Sequence, residues 1–122
     1  VLVTVALRGS RDLALSMAPK SATTPVAIAV AEQIGGLPEL TAALTVLTGV
    51  LGAVLGPVLL TLLRMRDPRT RGLALGISSH GIGTARALTE SPVTGAFSAL
   101  GMAVSTLVTP VVVVVLVPVL PV

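Results

Sequence analysis

Two short polar stretches hold the residues able to do chemistry. Pro19-Lys20-Ser21-Ala22-Thr23-Thr24-Pro25 carries one cation and three hydroxyls. Ser79-His80-Gly81-Ile82-Gly83-Thr84-Ala85-Arg86 carries a second cation, the lone histidine, two hydroxyls and two glycines. Both interrupt apolar sequence. Such a set is suited to binding a small anion. Lys20 and Arg86 would offset its charge, and Ser21, Thr23, Thr24, Ser79 and Thr84 would donate hydrogen bonds. Gly81 and Gly83 would let backbone N–H groups come close. Helices starting at Thr24 and Thr84 would add the partial positive charge of their N-termini. His80 is either a protonation switch near neutral pH or a hydrogen-bonded structural imidazole. A catalytic pair of His80 with Ser21 or Ser79 has no nucleophile-elbow pattern and no third member, so no enzyme activity is expected. Gly81-x-Gly83 follows no strand and is not a dinucleotide fingerprint.

The surroundings are those of a membrane protein. Charged residues make up 11% of the chain, well under the roughly 25% of ordinary globular domains, and the mean hydropathy is +1.02. The absence of cysteine excludes a disulfide framework and a thiolate metal site, and one histidine argues against any structural metal. No cofactor is expected. Phe97 is the single aromatic, so base stacking has no platform and nucleic acid is not an expected partner. The same scarcity leaves out the usual interfacial Trp and Tyr belts.

Taken in order, apolar Val1–Leu7 precedes basic Arg8. That reads as the end of a helix whose start lies upstream, so the sequence is expected to be part of a longer chain. Residues 8–12 read as a charged loop. Leu13–Ala18 is a short apolar piece stopped by Pro19, which lacks a backbone donor and disfavours helical geometry before it. Thr24 as N-cap and Pro25 as first helical residue open the next piece, which ends near Ile34 at Gly35-Gly36. Pro38 and Glu39 start a long helix. Its uncharged run Leu40–Leu63 is 24 residues, about 36 Å, enough to span a bilayer. Gly52-x-x-x-Gly56 within it permits close helix packing, and Pro57 is expected to kink it. Residues 64–71 form a basic loop. A helix broken at Ser79–Gly83 follows, then Ser91-Pro92 caps a second span from Val93 to about Leu120. Its valine run at 111–115 favours helix over strand, because an isolated strand in lipid leaves its backbone unpaired.

These features predict an all-α membrane protein in one domain over 1–122, with two discontinuous helices. Leu13–Ala27 aligns with Leu73–Ala87 at an offset of 60 residues, suggesting repeat units 8–63 and 68–120. Corresponding interrupted segments of this kind point to a transporter site. In the first layout both broken helices cross the bilayer. Arg8, Arg11, Arg64, Arg66, Arg69 and Arg71 then share the cytoplasmic side with Asp12 and Asp67, opposite Glu39 and Glu90. Re-entrant hairpins at 13–34 and 72–90 are the second layout. Arg86 and Glu90, four residues apart, could form a helical ion pair. The two interruptions are expected to face each other near mid-membrane.

Pro19–Ala27 resembles the Pro-Lys-Ser-Val-Thr-Thr-Pro-Ile-Ala signature of the LrgB/CidB family of bacterial membrane proteins. Glu32-Gln-Ile-Gly-Gly36, Arg71-Gly-Leu-Ala-Leu-Gly76 and Ser79–Ala87 are similar to further motifs of that family. The resemblance covers essentially the whole chain and corresponds to the C-terminal half of a member. It implies a multi-pass plasma-membrane protein, traditionally described as antiholin-like and as modulating murein hydrolases and autolysis, with a small LrgA/CidA-type membrane partner and homo- or hetero-oligomers. Plant relatives carry glycolate and glycerate, and some bacterial ones are associated with pyruvate uptake. Transport of small monocarboxylates by alternating access is the leading expectation, and regulation of autolysis without a solute path the alternative.

Overall fold

A computed structural model describes residues 10–119. Arg8, the Val1–Leu7 segment and Leu120 lie outside them. The described residues are helical and contain no strand: α1 (Arg11–Met17), α2 (Thr24–Ile34), α3 (Pro38–Leu62), α4 (Pro68–Leu88) and α5 (Pro92–Leu116), with a 3₁₀ turn at Val117–Val119. They divide into two compact units, with boundaries between Val46 and Leu47 and between Ser105 and Thr106.

In the first unit, local chemistry sets the helix ends. Ser10 caps α1 by accepting from the Leu13 N–H at 3.2 Å, so Arg11 and Asp12 are helical and the charged loop is shorter than its composition suggests. Ala18 keeps right-handed helical angles (φ −57°, ψ −50°) in front of Pro19, against the usual restriction. Thr23, not Thr24, is the N-cap residue of α2, and its side chain makes no capping bond. Gly35 closes α2 at φ 81°, where a side chain would be strained, and the Gly36 N–H returns to the Ala31 carbonyl at 2.8 Å. Ser16, fully buried, ties the pieces together. It accepts from the Leu37 N–H at 2.8 Å and donates to the Asp12 carbonyl at 2.6 Å, while its own carbonyl accepts from the buried Thr41 hydroxyl at 3.0 Å. The two ends of the 12–37 segment therefore lie together.

In the second unit, α3 ends in a Schellman turn. Arg64 takes the left-handed position (φ 56°), its N–H bonding the Thr61 carbonyl, and the Met65 N–H reaches back to Leu60. Met65 also packs on the buried cluster of Leu60, Leu75 and Ala87. Asp67 caps α4 by accepting from the Arg69 N–H at 3.0 Å and the Thr70 hydroxyl at 3.1 Å, with Pro68 in the first turn. Residues 68–71, expected in the basic loop, are thus helical. Ser91 caps α5 as expected, accepting from Thr94 N–H at 3.0 Å. The valine run at 111–115 is helical, and Pro110 sits within α5.

Helices α3 and α5 are each 25 residues, about 37 Å, and both are long and apolar enough to cross a membrane. Their outward residues are large and apolar: Leu62 is 72% exposed and Leu107 73%. Exposing such a surface to water is costly, whereas exposing it to lipid is not. Packing within the second unit depends on the absence of side chains. A Cβ at Gly76 would collide with the Ser98 carbonyl, so α4 and α5 meet backbone to backbone there. A Cβ at Gly81 would meet only open space. Gly76→Leu is therefore expected to destabilise by at least about 1–3 kcal/mol, and Gly81→Ala to cost far less, as read by thermal or denaturant unfolding followed by helical circular dichroism.

Candidate functional site

The second polar stretch lies where α4 reverses. His80 departs from helical geometry (φ 50°, ψ −133°) and divides α4 into two arms. A Cβ on Gly83 would lie 2.5 Å from the Leu75 carbonyl oxygen. In a straight helix those residues would be about 12 Å apart. Arg71 and Glu90, 19 residues apart in sequence, meet at 2.9 Å. The segment is a helical hairpin with His80 at its tip, and Arg71 and Glu90 share its base. This overturns the layout in which those two residues fall on opposite sides.

The tip is polar and partly internal, with Ser79, His80 and Gly83 buried and Ser78, Gly81 and Ile82 exposed. Ser79 is fully buried and its hydroxyl lies 3.1 Å from that of Ser78. His80 is 6% exposed. Thr84 was expected to start a helix. It lies inside the second arm instead, donating to the His80 carbonyl at 2.9 Å and pairing with the Ser98 hydroxyl at 3.0 Å. Its proton closes the turn, so it cannot also be offered to a ligand. Gly81 is exposed and Gly83 buried. Ser98 was missed in the sequence because it sits in an uninterrupted apolar helix, where a lone serine gives no signal.

The first polar stretch is a tight turn between α1 and α2. The Lys20 N–H bonds Met17 at 3.4 Å, and the Ala22 N–H bonds Pro19 at 2.9 Å. Pro19 and Ala22 are buried. Lys20, Ser21, Thr23 and Thr24 are half-buried around them. The Lys20 amine has no hydrogen bond or ion pair among the described residues. No group of histidine, cysteine or carboxylate side chains suited to a metal occurs among the described residues.

Arg86 does not join the tip. It lies about 9 Å of helix rise from His80 and lines a cleft of about 350 Å³ with Arg71, Glu90, Pro57, Val58, Thr61 and Leu62. Nor does it form the alternative helical pair with Glu90. Its guanidinium donates to the Thr89 hydroxyl at 2.6 Å. Glu90 is held instead by Arg71 through two bonds, Nε to Oε2 at 2.9 Å and Nη2 to Oε1 at 3.0 Å. Arg71 also donates to the Met65 carbonyl at 3.1 Å, the Thr61 hydroxyl at 3.3 Å and the Pro57 carbonyl at 3.4 Å. The fork geometry of the guanidinium serves all these acceptors at once.

The bonds from Arg71 hold the Glu90 carboxyl below its ordinary range, against the upward pull of burial. A depressed carboxylate contributes stability above its unfolded pKa, about 4.3, and loses it as pH falls through the folded value. Glu90→Gln is expected to cost about 1–3 kcal/mol at neutral pH and to flatten the acid limb of the stability profile, measured by unfolding at pH 3 to 7. At the tip, the positive φ of His80 costs on the order of 1–3 kcal/mol. His80→Gly should leave stability within about 1 kcal/mol of the parent, whereas the β-branched His80→Val should lower it by about 1–3 kcal/mol, in the same unfolding assay.

Comparison with known proteins places these features in context. Uncharacterized protein YwbG of Bacillus subtilis (strain 168) is 42% identical over 94 residues, 77% of this chain and 42% of that protein. Uncharacterized protein YxaC of the same strain is 43% identical over 91 residues, covering 75% and 40%. Holin-like protein CidB of Staphylococcus aureus (strain N315) is 35% identical over 108 residues, covering 88% and 47%. The chain thus spans less than half the length of these relatives. No solved structure matches it. The family model described as LrgB-like matches residues 1–119. With nearly its whole length matched, the chain belongs to the LrgB-like family.

Proposed function

We propose that the protein is a multi-pass plasma-membrane transporter of small monocarboxylates such as pyruvate or glycolate, working by alternating access. The observation that carries this reading is Lys20, a cation with no counter-charge among the described residues, set in a turn between two helices of a very apolar chain. An unpaired cation in such surroundings is costly and is a functional candidate by default. A substrate carboxylate would supply the missing charge. Ser21, Thr23 and Thr24 belong to the same turn and would bind its oxygens. The second unit carries its own polar turn, at His80, with Ser79, Gly81 and Gly83. Its strained backbone is the kind of feature that persists at working sites. In this reading α3 and α5 cross the bilayer, and the interrupted helices form the discontinuous elements that transporters use to bind solutes.

A second reading has its own support. The staphylococcal relatives are named holin-like, which fits an antiholin-like regulator of murein hydrolases acting with a small LrgA/CidA-type membrane partner and without a solute path.

Uptake of labelled pyruvate or glycolate into proteoliposomes separates the two. Lys20→Ala is expected to lower uptake about tenfold or more, the scale of one lost charge-assisted hydrogen bond. Uptake unchanged by both Lys20→Ala and His80→Ala would remove the site assignment. Absence of uptake, together with an autolysis phenotype in cells, would favour the regulator.

A further inference from the structure

The cleft at the base of the second hairpin is not part of the proposed solute site, and its chemistry suits a different ligand. Residues 64–90 contain five arginines, Arg64, Arg66, Arg69, Arg71 and Arg86, against Asp67 and Glu90. The two carboxylates are already engaged: Asp67 caps α4, and Glu90 is clasped by Arg71. Arg69 lies over the Phe97 ring at 5.8 Å from its centroid. Arg86 stands at the cleft with one hydrogen bond, to Thr89, and an exposed guanidinium with donors to spare. The cleft therefore offers a cation to an anionic oxygen beside an ion pair already closed on itself.

The cleft is also apolar along one side. Val58 and Leu62 line it, and they continue into the exposed surface of α3, where Val58 is 56% exposed. A free inorganic anion has no use for that wall. A phosphodiester carrying acyl chains does, because the phosphate meets Arg86 while the chains lie along α3. Basic pockets of this kind beside membrane helices bind anionic headgroups, with each nearby cation adding to the attraction.

The geometry points to a structural binding site for an anionic phospholipid, its headgroup phosphate on Arg86 and its acyl chains against Val58 and Leu62. This rests on the membrane reading given above but not on transport. Native mass spectrometry of the detergent-solubilised protein, offered equal phosphatidylglycerol and phosphatidylcholine, tests it. Retention of phosphatidylglycerol is expected to exceed that of phosphatidylcholine about tenfold, and Arg86→Gln to remove most of that preference. Arg11→Gln, outside the cleft, should keep it. Equal retention of the two lipids by the parent protein overturns the proposal without reliance on any variant. So does a preference that survives Arg86→Gln. Inorganic phosphate binding to lipid-free protein with the same dependence on Arg86 would make the ligand a free anion and overturn the lipid source. Flotation with vesicles distinguishes the two layers of inference. A protein that does not float removes the membrane reading and this site together, whereas one that floats without headgroup preference removes this site alone.

Discussion

Arg71 stands where three pieces of the second unit meet: the end of α3, the start of α4, and the residues just after it. Each piece presents polar groups to it, including the Thr61 hydroxyl, which already donates to the Pro57 carbonyl at 2.8 Å. Pro57 and Met65 present carbonyls, Thr61 a hydroxyl and Glu90 a carboxylate, and one guanidinium reaches them all. A lysine in its place could not, because a point charge lacks the planar fork. With side chains only 15% and 17% exposed, removal of either partner would leave a half-buried charge. The two arms that part at His80 are joined again at this base.

The first unit solves the same problem without charge. Ser16 takes the place that Arg71 holds in the second, bridging the Asp12 carbonyl, the Leu37 N–H and the Thr41 hydroxyl. A serine suffices because the segments approach more closely: a Cβ on Gly36 would lie 3.0 Å from the Ser16 nitrogen. Small residues and hydroxyls recur throughout, with Thr45, Ser79, Thr94 and Ser98 all buried. In apolar surroundings a hydroxyl that bonds the carbonyl one turn back, as Thr45 does to Thr41, adds a polar group at little cost. Close approach of the helices then provides dispersion contacts.

Reversal at the tip and closure at the base also separate the polar residues by role. Thr84 and Ser98 are occupied in holding the turn, Arg71 and Glu90 in holding the base. Lys20 and Arg86 differ in setting: one sits in a half-buried turn and the other at an exposed cleft beside an apolar wall.

Local signals were legible in the residues. Gly35-Gly36, Pro38 and Ser91-Pro92 mark helix ends through backbone geometry and capping, which act within a turn, so reading them needs no knowledge of the rest of the chain. Thr23 replaced Thr24 as cap because neighbouring threonines before a proline offer the same chemistry one residue apart. The family, too, was readable from ordered motifs such as Ser79–Ala87. What the residues left undecided were relations across distance. Arg86 and Glu90 have ideal helical spacing, yet Glu90 pairs with Arg71, because the chain reverses at a single residue and brings 71 and 90 together. Whether a break in a helix merely kinks it or turns it back depends on backbone angles that His80 and Gly81 permit but do not announce. Packing of Gly76 on Ser98 and of Gly83 on Leu75 selects the reversal, and only the folded structure shows it.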